Sequence, residues 1–396
     1  MGPVSIHVVN SEDVAWFRDN LGSARGAAAA LGRRVGLDEQ RCAEVALAVS
    51  EATSNLVKHA TDGALVLRVL RTREQAGIEF VAVDRGPGMA DTDAAVRDGC
   101  STVGTLGIGL GAIARLADGF DIHSVVGRGT VVAGRFWSNG RASRPDSPPP
   151  AEPDAEPATA AVGLTRAMSG EDVCGDAWAA RVDPGVAAHP VAAVPASPAS
   201  TRLDWSALAG FGSRDTTARV LSTDTAVGAE PALMVMLADG LGHGPMAANA
   251  ADAASRAFRE GRARHPQDAI QEVHTALRGS RGAAVAVARV EPVAGRVLFC
   301  GVGNITAVLL GADTQTSLMS YPGIVGHRMR GLRSFTHPLP PGGALVLHSD
   351  GLTDRWRPEM FPGLLSQPPV VVAGHLLAQA GVRQDDAGVV VVKGAW

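Results

Sequence analysis

VMLADGLGHGPMAA, residues 235–248, decides how the later half of this chain reads. An apolar run of strand length ends on Asp239, a glycine-rich turn follows, and Pro245 opens a helical stretch, PMAANAADAASRAFREG. An acid closing a core strand is unfavourable unless something compensates its charge. Working outward, three further motifs repeat the arrangement. They are GEDVCGDAW (170–178), LVLHSDGLTD (345–354) and RQDDAGVVVV (383–392), which set Asp176, Asp350 and the pair Asp385/Asp386 at the borders of apolar strands. Any one of these acids alone reads as a turn former. Four motifs converging on one pocket would bind hard cations through oxygen. Two such ions roughly 4 Å apart hold a water between them, lower its pKa and aim it at a phosphoryl group. That chemistry requires no nucleophilic side chain, and none of the four cysteines sits in a phosphate-cradling loop.

Around these motifs, AAVAVARV, RVLFCGVG, ITAVLLG, ALVLHSD and AGVVVVK are short apolar runs broken by turns such as EPVAG and PPGG. With helices from Pro245 and over about 267–278, the pattern suits two packed sheets flanked by helices. Over about 161–396 the sequence resembles the PPM-type serine/threonine phosphatases, in their bacterial SpoIIE-like branch. ADGLGHGPMAA, SDGLTD and the closing DD-plus-strand carry the likeness. The resemblance implies Asp239 as a bridging ligand and catalytic centre. The Gly240 carbonyl, Asp176, Asp350 and Asp385 would complete a site for two Mn²⁺ or Mg²⁺ ions. Asp385 is taken from the final pair because its family equivalent comes first. Two departures stand out: the interval from Asp176 to Asp239 is long, and Gly388 occupies a position where Thr or Ser is common. His243 reads as a loop-shaping residue, and Asp354 as either a supporting group or a helix cap.

Upstream, residues 138–160, SNGRASRPDSPPPAEPDAEPATA, hold almost no large apolar side chain and read as a linker. The expected division is therefore 1–137, the linker 138–160, and 161–396 with a soft insertion at about 183–230 that begins PGVAAHPVAAVPASPAS.

In the first unit Asp38 is a plausible N-cap for a long helix reaching about Ala60, with Val45, Val49, Ala52 and Leu56 as its buried stripe. SEATSNLVKHA (50–60) places Glu51 and Asn55 one turn apart on that helix. Strands ALVLRVLR (64–71) and IEFVAVD (78–84) follow, the second running into DRGPGM with Asp84, Gly86 and Gly88. GTLGIGLGAIARLAD (104–118) then offers Gly104, Gly107, Gly109 and Gly111 before a short helix. Each piece has a use. A strand-end carboxylate accepts from an adenine amino group, and glycines admit the base. A glycine-rich turn opening a helix presents N–H groups to phosphates. An Asn oxygen completes a Mg²⁺ shell, and a Glu one turn earlier takes a proton from an attacking hydroxyl.

In that order, the three elements resemble the GHKL ATPase superfamily over about residues 4–137. The small anti-sigma and switch serine kinases (RsbW- and RsbT-like) are the nearest in kind, through GLGAIARLADGFDIHSVVGRGT. The resemblance implies ATP and Mg²⁺ as cofactors, Glu51 as general base, Asn55 as Mg²⁺ ligand and Asp84 as adenine contact. Gly86, Gly88, Gly107, Gly109 and Gly111 would shape the pocket, and Thr130 would support the adenine side. Lys58 and His59 lie nearby with no role assigned. A histidine kinase is disfavoured, because only about 36 residues precede the main helix and His7 sits in a strand-like start.

The net charge of −4 argues against a general nucleic-acid binder. The cysteines show no CxxC pairing, which disfavours a zinc site or disulfide framework. MGPVSIHVVNSEDVAWF lacks a signal-peptide pattern and no apolar run reaches about 18 residues, so the expected location is the cytoplasm, away from membranes.

The fold class expected is α+β: a Bergerat-type α/β sandwich (ATPase) followed by a PPM-type αββα sandwich. The function expected is a partner-switching regulator with opposed activities. It would dephosphorylate phosphoserine or phosphothreonine on a STAS-domain partner of the anti-anti-sigma or stressosome type, and its ATP-binding domain would phosphorylate or clamp the same class of partner. The linker would raise each site's effective concentration at that partner. The alternative is a phosphatase whose ATP-binding domain only regulates it in cis.

Overall fold

The computed structural model describes residues 6–72, 74–97, 109–139, 159–185, 230–329, 331–381, 384–394 and 396. Gly107, 140–158 of the expected linker and 186–229 of the expected insertion lie outside them.

The first half runs β1 (Ile6–His7), β2 (Asn10–Phe17), α1 (Ala24–Val35), α2 (Glu39–His59), β3 (Ala64–Arg71), β4 (Ala76–Val83), α3 (Thr92–Val96), α4 (Gly109–Leu116), β5 (Gly119–Val125) and β6 (Gly129–Trp137). Helix α2 starts where its cap predicts: the Asp38 carboxylate accepts the Arg41 N–H at 2.7 Å. The strands form an antiparallel sheet in the order β2-β3-β4-β6-β5. One face, with Leu65, Leu67, Ile78, Phe80 and Phe136, packs on Val45, Val49, Ala52 and Leu56 of α2.

The second half runs β7 (Thr159–Arg166), β8 (Asp176–Asp183), β9 (Ala232–Gly240), α5 (Pro245–Glu260), α6 (Pro266–Ala276), β10 (Ala283–Glu291), β11 (Arg296–Val302), β12 (Thr306–Leu310), β13 (Gln315–Leu318), β14 (Phe335–Pro338), β15 (Ala344–His348), α7 (Pro369–Ala380) and β16 (Ala387–Lys393). Two sheets, β1-β7-β16-β15-β12-β13 and β14-β11-β10-β9-β8, face each other across a core that includes Trp178, Leu237, Phe299, Leu347 and Val390. Helices α5 and α6 cover the outside of the five-stranded sheet. Helix α7 covers the outside of the six-stranded one, completing the αββα layers.

Helix α7 also serves the first half. Its Val370–Leu377 stretch is buried all round, with Leu164, Val389 and Val391 on one side and Val66, Val81, Val83 and Val131 of the first sheet on the other. Gly374 permits the approach, since a Cβ there would stand 2.8 Å from Val131 Cγ1. The layers therefore run without a gap: helices α1, α2 and α4, the first sheet, α7, the two later sheets, then α5 and α6. The two halves are packed on each other.

Polar groups fasten the same seam. Arg68, fully buried in the middle of β3, donates to Asp13 at 2.5 Å, Glu79 at 2.7 Å, Ser11 Oγ at 2.6 Å and the Gly163 carbonyl of β7 at 2.5 Å. Asp13 in turn accepts the Thr165 N–H at 2.6 Å, and Trp16 Nε1 donates to the Thr165 carbonyl at 2.7 Å. Strand β1 pairs in parallel with β7, so the start of the described chain joins the later sheet. His123 Nδ1 and His375 Nε2 meet at 2.9 Å across the seam, and burial pushes the His375 pKa down to about 4, assisted by His123. That imidazole is neutral at physiological pH. No helix among the described residues is long and apolar enough to cross a membrane.

Candidate active sites

The acidic centre forms where strands of the two later sheets end together. Asp176 opens β8 and pairs in register with Asp239 at the close of β9. From the facing sheet, β15 delivers Asp350 just past its end, and Asp385 and Asp386 lie immediately before β16. The two glycines of the DG motifs make this convergence possible. A Cβ on Gly240 would lie 2.2 Å from the Ala247 carbonyl in the first turn of α5, and one on Gly351 would lie 1.8 Å from the Asp386 carbonyl. Neither position accommodates a side chain while the loops stay in place.

The electrostatics follow from this crowding. Asp239 has its pKa pushed up to about 7, by burial first and then by Asp350, Asp385 and Asp386. Asp176 is held well above the usual carboxylate range, again by burial first, then by Asp239. Asp386 is raised by burial as well. The sequence-derived ligands Asp176, Asp239, Asp350 and Asp385 thus share one field, and Asp386 shares it with them.

Hydrogen bonds orient these groups. Ser349 Oγ donates to Asp176 Oδ2 at 2.6 Å and accepts the Gly388 N–H at 2.9 Å. Gly388 itself stands where a Cβ would come within 3.0 Å of Asp176 Oδ2, so Ser349 supplies a hydroxyl to Asp176 in a chain without Thr or Ser at 388. Asn304 Nδ2 donates to Asp350 Oδ2 at 2.6 Å, and Asp386 Oδ1 accepts the Met168 N–H at 2.9 Å. Ser349 stood beside Asp350 in the motif already quoted, whereas Asn304 carried no signal in the sequence. His243 Nδ1 meets Glu171 Oε1 at 3.0 Å, pinning the Gly240–Gly244 turn to the loop before Asp176. Asp354 accepts from Thr306 Oγ1 at 3.1 Å and lies 3.4 Å from His348 Nε2, which makes it a supporting group rather than a helix cap.

The donor set fits divalent metal ions. Asp176 Oδ1 and Asp386 Oδ2 are buried with no hydrogen-bond partner among the described residues, and a hard cation would satisfy both oxygens and the accumulated negative charge. Among the described residues, no three His, Cys, Asp or Glu side chains are placed closely enough to hold a metal ion as they stand, so binding would require these carboxylates to draw together.

The second site lies at the open end of the first sheet. Glu51 and Asn55, both half-buried, face the start of α4. A Cβ on Gly109 would come within 3.3 Å of the Asn55 amide and 3.4 Å of Glu51 Oε2. Gly111, the third residue of the same helix, is buried. Asp84, just past β4, is buried, with its pKa raised by that burial, and its Oδ1 accepts the Gly86 N–H at 2.6 Å. Gly88 has φ +66° and packs on the Val125 carbonyl. Thr130 shares a hydroxyl contact of 2.8 Å with Ser124 and accepts the Asp84 N–H on its carbonyl at 3.0 Å. Lys58 and His59 are exposed. Glu51 and Asn55 thus meet the start of α4 at Gly109, while Asp84, Gly86, Gly88 and Thr130 gather around a buried carboxylate at the end of β4. That arrangement fits a nucleotide with its phosphates at α4.

A sheet-and-helix sandwich that sets a Glu/Asn pair against the start of a glycine-rich helix, joined to an αββα sandwich with an acidic centre, defines an ATP-binding module fused to a metal-dependent phosphatase module. Comparison with known proteins gives the family. Residues 18–136 match the histidine kinase-like ATPase domain, and residues 230–365 match the stage II sporulation protein E (SpoIIE) family. The serine/threonine-protein kinase RsbT of Bacillus subtilis (strain 168) is 36% identical over 115 residues, spanning 28% of this chain and 86% of that protein. The chain belongs to the RsbT-like histidine kinase-like ATPases, here fused to a SpoIIE-type phosphatase domain. Among solved structures, RsbX in complex with magnesium is 16% identical and matches with a TM-score of 0.42, covering 60% of this chain and 96% of that one. The PP2C phosphatase domain of SpoIIE from Bacillus subtilis, with a fragment of its regulatory domain, is 13% identical with a TM-score of 0.40, covering 82% and 80%.

Proposed function

We propose that this chain is a partner-switching regulator that removes phosphate from phosphoserine or phosphothreonine on a STAS-type protein and uses its ATP-binding half on the same class of partner. The observation that carries the phosphatase half is the meeting of Asp176, Asp239, Asp350 and Asp385 in one acidic centre. Asp239 would bridge two Mn²⁺ or Mg²⁺ ions, with Asp176, Asp350, Asp385 and the Gly240 carbonyl around them. Ser349 and Asn304 would hold Asp176 and Asp350 in orientation. The ions, when bound, supply a water of lowered pKa as nucleophile. In the ATP half, Glu51 would take the proton of the partner's hydroxyl, Asn55 would hold Mg²⁺, and Asp84 would receive the adenine amino group. We place these activities in units of 1–137 and 161–396, working in the cytoplasm.

The test is direct. The purified chain should release phosphate from a phosphoserine-bearing STAS protein only when Mn²⁺ or Mg²⁺ is supplied, and the ion giving the faster release identifies the working metal. Absence of release with either ion overturns the phosphatase reading.

A second reading of the ATP half, as a regulatory module that transfers no phosphate, is favoured by one contact. Arg85, next to Asp84, donates to the Ala378 carbonyl at 2.5 Å near the end of α7, and that helix leads toward Asp385. A nucleotide contacting Asp84 is thereby one residue from the element that precedes the acidic centre. Phosphate incorporation into STAS proteins separates the two readings. A kinase loses about 10²–10⁴-fold of its transfer rate in Glu51→Ala, with ATP binding retained. A regulatory module shows no transfer to lose, and instead changes its phosphatase rate on adding ATP.

A further inference from the structure

A cleft of about 640 Å³ opens beside the acidic centre, between the turn at 280–282 and the loop at 321–329. Leu241 and Ile324 form its apolar floor, while Arg281, His327 and Arg328 stand along its rim with Ser280. It adjoins the phosphatase site directly. Asp239 pairs with Ala284 and Gly240 with Ala283 on the neighbouring strand, and Leu241 donates to the Gly282 carbonyl at 3.0 Å. The Arg281 guanidinium reaches over the Gly240–Gly244 turn, to within 3.0 Å of where a Cβ on Gly242 would lie.

The walls are held in place. Ala283 and Val325 exchange two backbone hydrogen bonds, at 3.1 and 2.9 Å. His327 Nε2 lies 2.9 Å from the Arg281 carbonyl, and His274 Nδ1 accepts the Gly326 N–H at 3.0 Å. Gly282 has φ +80° and admits the loop so closely that a Cβ would stand 2.7 Å from both Ile324 and His327. Such a cleft binds without first paying for its own ordering. Its charge is opposite to that of its neighbour: the centre is carboxylate, whereas the rim carries two exposed guanidinium groups. Neither Arg281 nor Arg328 is paired with a carboxylate among the described residues. Leu241 is 45% exposed, an apolar surface beside that positive rim.

We propose that this cleft is the docking subsite for the protein substrate of the phosphatase. It takes the stretch of chain flanking the phosphorylated Ser or Thr, with an acidic side chain of that stretch between Arg281 and Arg328 and an apolar one against Leu241 and Ile324. This rests on the phosphatase reading above. Contacts made away from the reacting phosphoryl group, equally in ground and transition states, set KM and leave kcat alone. Rim charges also steer association, in a salt-dependent way.

The experiment uses the full chain with Mn²⁺ and three substrates: p-nitrophenyl phosphate, a phosphoserine peptide with Asp and Leu flanks, and the same peptide with Ala flanks. The unaltered chain should favour the acidic peptide over the Ala peptide by about tenfold in kcat/KM. Arg281→Ala and Arg328→Ala, singly and together, should raise KM for the acidic peptide by up to about tenfold. They should leave its kcat and the turnover of p-nitrophenyl phosphate and the Ala peptide unchanged. Arg328→Lys should restore part of the loss. An unchanged KM for the acidic peptide, or an equal fall toward all three substrates, overturns the docking role while leaving the phosphatase reading intact. Failure of the unaltered chain to turn over any of the three removes both.

Discussion

Asp239→Asn is expected to lower metal-dependent phosphate release at least ~100-fold while the fold and ATP binding persist. The carboxylate ends β9 opposite Asp176, and Asp350, Asp385 and Asp386 bear on it from the facing sheet. Asparagine keeps the shape and removes one negative charge from a site that is crowded with them. Without metal, the variant should therefore melt no lower than the original chain, because a repulsion has been relieved. With millimolar Mn²⁺, the original chain should gain stability that grows with the logarithm of the ion concentration above its Kd, and the variant should gain less. Release assays and thermal melts with and without the ion measure both effects. Wild-type release by the asparagine variant would remove Asp239 from the catalytic centre.

Arg68→Ala should destabilise the whole chain by about 3–5 kcal/mol, the range for breaking a buried ion pair by deleting one partner. Asp13, 3% exposed, would keep its charge in the seam without a cation, and the Gly163 carbonyl and Ser11 would lose their donor. Glu79 retains a longer contact of 3.5 Å to Arg135, so the greater part of the loss falls on Asp13. Combining Arg68→Met with Asp13→Ala should recover part of the stability, because the Asp13 charge is gone and Glu79 keeps only its 3.5 Å contact to Arg135. Denaturant titration measures each variant. A loss under about 1 kcal/mol for Arg68→Ala would mean that the network contributes little.

Much of this architecture was written in local signals. The Asp38 cap, the strand runs and the helix opened by Pro245 each obey short-range rules, and the observed elements start within about three residues of where those rules put them. The acids of the phosphatase centre were visible because charge at the end of an apolar strand is costly and therefore conspicuous. Helix α7 was not read from the sequence, for a physical reason. PVVVAGHLLAQA is apolar on every side because it is buried on every side, and a uniform run carries no 3.6-residue stripe. Strand ALVLRVLR held the complementary sign: apolar side chains lie on both of its faces, with Arg68 the one buried charge among them, as suits a sheet covered twice. Asn304 and Ser349 act through contacts made only after distant strands meet, which local pattern does not encode.

Because a single helix is wedged against both halves, neither half is a finished object by itself. Cutting the chain between residues 140 and 158 would bare Val66, Val81, Val83 and Val131 on one fragment and the matching side of α7 on the other. Each fragment would carry a greasy wound suited to the other, so they would re-associate or clump rather than part. Evolution could not shuffle one module away from this chain without also repainting the surface it left behind.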